Sequence, residues 1–287
     1  MLGCGISYGV MGFLSIPAQG ATLRVGETNF TNNTGSITFS EFPKNTANPV
    51  YTPQNYGGLS TGPTVSFGGF FQGQSLGNDQ TCPTGVALTA CIQGDPTGSL
   101  TLDANSPKTF IVPDLSARSF AVLSGYPRFN GAISILFSQN VAAVGMTAGY
   151  FDNVGSTALT AFGRDGSRLG SVSNTARGIN FLGVVSGDGS NVIAGLQLSL
   201  ISPEIGGFGI DNLRFVQINQ IAVPSPTPTP TLTPIPTNSP PPDILDSPDD
   251  RDIPNVPASA MDWGLILGLG VLGYLKRSQK VLASGRK

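Results

Sequence analysis

The chain reads as an all-β protein, a two-sheet antiparallel sandwich or jelly roll, on three observations. Apolar residues alternate with small or polar ones over short stretches, and clusters of Gly, Asn, Pro and Ser separate those stretches. Between residues 22 and 222 no apolar period of 3.6 lasts the roughly ten residues a helix requires. Glycine supplies 38 of the 287 residues, which disfavours helix further. Many short strands with frequent turns fit two packed sheets.

Taken in order, the elements carry the following signals. Residues 36–42 form an early strand. Phe67, Phe70 and Phe71 cluster in one segment and read as core more readily than as an aromatic platform for sugars. Ile133, Ile135 and Phe137 share one face of a strand. Residues 159–162 and 168–172 flank Arg164-Asp165-Gly166-Ser167, and Asp-Gly at the tip marks a hairpin. Further strands are predicted at 181–185, 193–201 and 208–218. In the last of these, Phe208 and Ile210 have one parity while Leu213 and Phe215 have the other. A β-bulge at Asp211-Asn212 would return all four to the core, and a carboxylate at a bulge is a reasonable cation ligand. The alternative is an outward Asp on a strand apolar on both faces.

The ends differ from the body. Residues 1–21 carry no charge and include an apolar stretch from Tyr8 to Ile16, followed by Ala18-Gln19-Gly20. That pattern reads as a signal peptide without the usual basic start. Residues 22–222 form the sandwich domain. Residues 223–257 are a Pro/Thr-rich linker in which proline fixes φ and removes donors. It is expected to be disordered in the sense of lacking helix or sheet, and to extend as a polyproline rod of roughly 100 Å. Residues 258–287 hold a short apolar helix candidate from Trp263 to Leu275, then Lys276 and Arg277. Thirteen uncharged residues fall short of the ~20 that span a bilayer with margin. The aromatic and basic flanks still mark a membrane segment with its cytoplasmic side at the end. Export to the cell envelope, surface or medium follows, with the tail at least transiently in the membrane.

Composition narrows the chemistry. The body holds 11 acidic and 9 basic residues, so no basic patch argues for nucleic acid. Cys4 departs with the signal peptide, leaving Cys82 and Cys91. In an oxidising compartment they are expected to form a disulfide worth roughly 2–3 kcal/mol. Zinc is the alternative, but the chain contains no histidine. The same absence removes a Ser-His-Asp triad and His-dependent metal hydrolysis. Carboxylates alone could cleave glycosides, with Asp152, Asp165, Asp188 and Glu204 as candidates. Asp165 and Asp188 precede Gly in turn contexts, where Asp is favoured for backbone reasons. Asn29 and Asn32 head Asn-x-Thr sequons.

The hairpin with its following strand, the segment Gly207-Phe208-Gly209-Ile210-Asp211-Asn212-Leu213-Arg214-Phe215, and the spacer, apolar run and basic end together resemble the PEP-CTERM class of exported bacterial proteins. Cyanobacterial members are the nearest in pattern. The tail is a variant, because Val256-Pro257 is followed by Ala258-Ser259-Ala260 and lacks the class's Glu-Pro pair. The resemblance implies sorting by an exosortase-like enzyme acting at residues 256–260, then release or attachment to extracellular polymer. The architecture also resembles calcium-bearing jelly rolls, which implies a structural calcium between Glu41 and Asp211, completed by carbonyls and water. No other cofactor is expected. The leading expectation is a non-enzymatic surface or matrix protein of structural or adhesive role. A carbohydrate-binding, lectin-like module with structural calcium is the alternative, and a secreted carboxylate-dependent glycan-active enzyme is the third.

Overall fold

The computed structural model describes residues 22–30, 35–58, 60–114, 120–217, 221 and 223. The predicted signal peptide, the linker beyond Val223 and the C-terminal segment lie outside the described residues. So do Val256, Pro257, Ala258, Ser259, Ala260, Trp263, Leu275, Lys276 and Arg277, and the sequon at Asn32.

The described residues are all-β. The strands in chain order are β1 (Leu23–Arg24), β2 (Gly35–Ile37), β3 (Val50–Tyr51), β4 (Val65–Gly68), β5 (Ser75–Leu76), β6 (Ile92–Gln93), β7 (Thr109–Pro113) and β8 (Ala121–Gly125). The longer ones follow: β9 (Ile133–Val141), β10 (Ala143–Phe151), β11 (Thr157–Phe162), β12 (Arg168–Ser173), β13 (Gly178–Val185), β14 (Ile193–Leu200) and β15 (Gly209–Val216). Helix is confined, among the described residues, to two single 3₁₀ turns, Glu27–Asn29 and Leu88–Ala90.

Two antiparallel sheets hold nearly all of these strands. One has the order β1-β13-β10-β15-β8-β7, with β2 also paired to β15; the other runs β12-β11-β14-β9-β4-β3. β5 and β6 form a separate ribbon. Side chains of both sheets meet in one core, with Ile133, Phe137 and Leu196 from one and Met146, Leu182 and Leu213 from the other. Each large apolar side chain removed from water contributes roughly 1.5–3 kcal/mol. The chain passes between the sheets at Ala142, a fully buried residue joining β9 to β10. A sandwich-like fold therefore stands as the sequence predicted.

The hairpin of β11 and β12 pairs Leu159 with Val172 and Ala161 with Gly170. At its tip the Asp165 carboxylate accepts the Ser167 N–H at 3.0 Å and the Ser167 hydroxyl at 2.6 Å. Gly166 has φ 84, a region glycine enters without steric penalty. The predicted bulge is present. Gly145 faces Arg214 and Thr147 faces Asp211, so two steps along β10 answer three along β15. Asn212 takes φ 50 there, a conformation Asn tolerates. Phe208, Ile210, Leu213 and Phe215 are all buried as a result.

The strand expected over 36–42 is shorter. β2 ends at Ile37 because Glu41 folds back and its Oε1 accepts the Thr38 N–H at 2.8 Å and the Thr38 hydroxyl at 2.9 Å. Phe39, at φ 57, makes the bend and buries its ring against Tyr51 and Phe67.

The outer faces of the two sheets are treated differently. Residues of the long β4–β7 connection cover the six-stranded sheet, where Phe71 and Leu100 pack on Phe162 and Ala194. A reciprocal amide pair between Gln74 and Gln197, at 2.8 and 3.1 Å, pins that connection to β14. On the seven-stranded sheet the cover is partial. Val25 and Phe30 pack on Ala143, Val185 and Val216, and Arg214 pairs with Glu27 at 2.8 Å.

Candidate functional site

A cleft of about 300 Å³ lies on the seven-stranded sheet away from this cover, lined by residues of β8, β10, β13, β15 and the adjoining loops. Phe129, Tyr150 and Ile179 supply apolar wall, and Asp114, Asp152 and Asp211 supply carboxylates. Tyr150 and Ile179 are 44 % and 55 % exposed, so apolar surface is left facing water. A concave surface with a few polar groups converging on an apolar lining is the usual form of a small-ligand site.

Each wall is fixed by its own hydrogen bonds. Phe129 adopts φ 66. Its N–H donates to the Ser124 hydroxyl at 2.6 Å, and its carbonyl accepts the Phe208 N–H at 2.7 Å. The chain can approach so closely only because residue 207 is glycine. A Cβ there would stand 1.8 Å from the Phe129 oxygen. The Arg128 guanidinium covers the Phe129 ring at 4.9 Å from its centroid. The disulfide between Cys82 and Cys91 is formed, and its loop reaches this wall. The Thr89 carbonyl accepts the Ala132 N–H, and the Thr89 hydroxyl donates to the Asn130 carbonyl. Gly77 makes room for the bridge, since a Cβ would fall 2.1 Å from Cys82 Sγ.

Asp152 is held from behind by Glu204. Glu204 is 2 % exposed, and its carboxylate accepts the N–H of Asp152 at 2.6 Å, the N–H of Asn153 at 3.2 Å and the Ser156 hydroxyl. Asp152 in turn accepts the Gly206 N–H at 2.6 Å. Of the four acids read from the sequence as candidates, only Asp152 lines the cleft. Glu204 clamps its loop. Asp165 and Asp188 close turns, each through the hydroxyl and N–H of the serine two residues on. The serine hydroxyls and N–H groups hold both carboxyls below the usual range.

Asp211 sits at the bulge. Its oxygens accept the Asn212 N–H at 2.7 Å and the Asn212 side-chain amide at 3.2 Å. Burial pushes its carboxyl up to about 6, against the Asn212 N–H and with help from the charges of Glu41 and Asp114. Glu41 is brought within electrostatic reach because β2 pairs with β15, Ile37 opposite Leu213. Glu41 Oε2 and the Tyr51 hydroxyl are both buried without a hydrogen-bond partner. Burial, then the Glu41 charge, raises the Tyr51 phenol. The orphaned Glu41 oxygen and Tyr51 hydroxyl, with the Asp211 carboxylate in electrostatic reach of Glu41, fit a cation, although no group of three or more His, Cys, Asp or Glu that could hold a metal ion occurs among the described residues.

Phe67, Phe70 and Phe71 are buried and form no sugar platform. The exposed aromatic of the cleft is Tyr150, which the sequence did not single out. Phe129, Ile179 and Asp114 were also missed. A tyrosine following a glycine at the end of a long apolar strand is a weak signal, and the other three have none. No protein-family model matches the chain, and no curated protein matches it either.

Proposed function

We propose that this is an exported, non-enzymatic β-sandwich of the jelly-roll type that adheres to extracellular polysaccharide through the cleft on its seven-stranded sheet. The observation that carries the reading is the exposed Tyr150 ring beside fixed carboxylates in a preformed concavity. Sugars present apolar ring faces edged with hydroxyls, and an aromatic face beside carboxylate acceptors complements both. Export rests on the apolar N-terminus, the formed disulfide and the tail. The tail supports PEP-CTERM-type sorting by an exosortase-like enzyme at residues 256–260. A calcium held by Glu41 and Asp211, with carbonyls and water, would neutralise the bulge and steady the cleft floor.

The test is a glycan array followed by titration of each hit with wild type and Tyr150→Ala. Saturable binding that weakens about tenfold in the variant is expected, the loss typical of a central aromatic contact. Absence of binding to any glycan overturns the reading. A second reading, carboxylate-dependent glycan hydrolysis, is favoured by Asp114, Asp152 and Asp211 lining one cleft. Release of reducing ends by wild type, abolished in Asp114→Asn, would replace the first reading with the second.

A further inference from the structure

The cleft crosses four neighbouring strands, and most of the side chains those strands give it are apolar. Ile179 belongs to β13, Ala148 and Tyr150 to β10, Ile210 to β15 and Val122 to β8. The four strands are adjacent in the sheet. At ~4.8 Å per strand the floor runs roughly 14 Å from Ile179 to Val122. Phe129 closes the Val122 side, since a Cβ on Gly209 would lie 3.3 Å from both the Phe129 ring and a Val122 methyl. A bulge sets the opposite side. Ala148 faces Asn180 and Phe151 faces Gly178, so three steps along β10 answer two along β13. The extra residue falls at Gly149-Tyr150, opposite Ile179, and a bulge re-aims the side chains it carries. Tyr150 and Ile179 stand together on the cleft, both exposed.

An unsubstituted sugar matches only part of this surface. Its ring face can lie on Tyr150, and a hydroxyl directed at Asp152 meets a carboxylate acceptor. Hydroxyls directed at Ile179, Val122 or Phe129 meet hydrocarbon and lose their hydration without a partner. A methyl group in the same place gains from burial. Selection of this kind penalises the wrong ligand as much as it favours the right one. We infer that the cleft selects a sugar bearing a methyl-ended substituent, an acetamido, acetoxy or deoxy group, with the ring face on Tyr150 and the methyl against Ile179. This inference rests on the glycan-binding reading above and names the class of glycan.

Matched glycans isolate the substituent. The full chain, in calcium-containing buffer, is applied to an array carrying N-acetylglucosamine against glucose oligomers, N-acetylgalactosamine against galactose oligomers, and O-acetylated against alkali-deacetylated glucomannan oligomers. The best-bound pair is then titrated calorimetrically. The methyl-bearing member is expected to bind at least about fourfold more tightly than its hydroxyl counterpart, the worth of one buried methyl group. Ile179→Thr keeps the β-branch suited to β13. It is expected to remove most of that preference while leaving the hydroxyl member's affinity unchanged, and thermal melting confirms that it folds. A contact made through the amide or ester alone would not respond to this variant. Equal or stronger binding of the hydroxyl members, a preference that survives Ile179→Thr, or binding confined to glycans without such a group overturns the methyl inference and leaves glycan adhesion standing. If no glycan on the array binds, both fall together.

Discussion

The two sheets share one core but end in opposite ways on their outer sides. The six-stranded sheet has its outer face roofed by the β4–β7 connection, with Phe71 and Leu100 against Phe162 and Ala194. Among the described residues, the seven-stranded sheet is roofed at the end where Val25 and Phe30 lie, and the cleft lies elsewhere on it. A sheet face with apolar side chains is stabilised by burial, so the roofed face is accounted for by folding alone. The open face keeps Tyr150 and Ile179 in water. Folding gains little from them there, which is why function is read from that face.

The largest expected effect comes from the roof. Phe71 is fully buried and stacks edge-on with Phe162 at 5.6 Å. Phe71→Ala should lower stability by about 3–5 kcal/mol in urea melts. Ile179→Ala, on the open face, should stay within about 0.5 kcal/mol of wild type. Similar losses at both positions would show that the open face is core after all and would break the contrast.

The disulfide comes next. Cys82→Ser with Cys91→Ser should lower stability by about 2–3 kcal/mol, read as a shifted urea midpoint, with reductant doing the same to wild type. Because the bridged loop bonds to Asn130 and Ala132, ligand binding at Phe129 should weaken as well. Unchanged affinity in the folded variant would separate the roofed side from the cleft.

Glu204 tests the cleft's support. Its removal leaves the N–H groups of Asp152 and Asn153 without their partner. Glu204→Ala should destabilise by about 1–3 kcal/mol. It should also weaken glycan binding more than Asp165→Asn does, as measured by titration of folded protein.

What the sequence made legible was local. The Asp165-Gly166 tip, the bridge across nine positions and the parity change at Asp211-Asn212 each express a constraint within about ten residues. The cleft expresses none. Asp114 follows β7, Phe129 lies between β8 and β9, Tyr150 lies near the end of β10 and Asp152 just after it, and Asp211 belongs to β15. Only the strand order β13-β10-β15-β8-β7 makes them neighbours. Glu41 and Asp211 are the intermediate case. A resemblance named them, and the β2–β15 register brings them within electrostatic reach. Glu204 shows the converse: an acid that looked available is consumed as a backbone clamp.

The smallest effect compares two turns with one local geometry and different surroundings. Asp165 and Asp188 each accept a serine N–H at 3.0 Å and a hydroxyl at 2.6 Å. Gly166 at the first tip abuts the Pro96 and Gly98 carbonyls of the roof, whereas Gly189 at the second meets the Val223 side chain. Both carboxyls are held below their ordinary value by the serine hydroxyl first. A depressed folded value means that each contributes stability above the unfolded carboxyl value, near ~3.9, and that the contribution fades as pH falls through the lower folded value. Asp165→Asn and Asp188→Asn should therefore each flatten the acid limb of a stability–pH curve slightly, Asp188→Asn at least as much because the Ser186 side chain also holds its carboxyl down, with the slope near neutral pH unchanged. A larger flattening in Asp165→Asn would mean that the roof, and not the turn alone, sets the acid's environment, and the covered side would then couple to charge as the open side does.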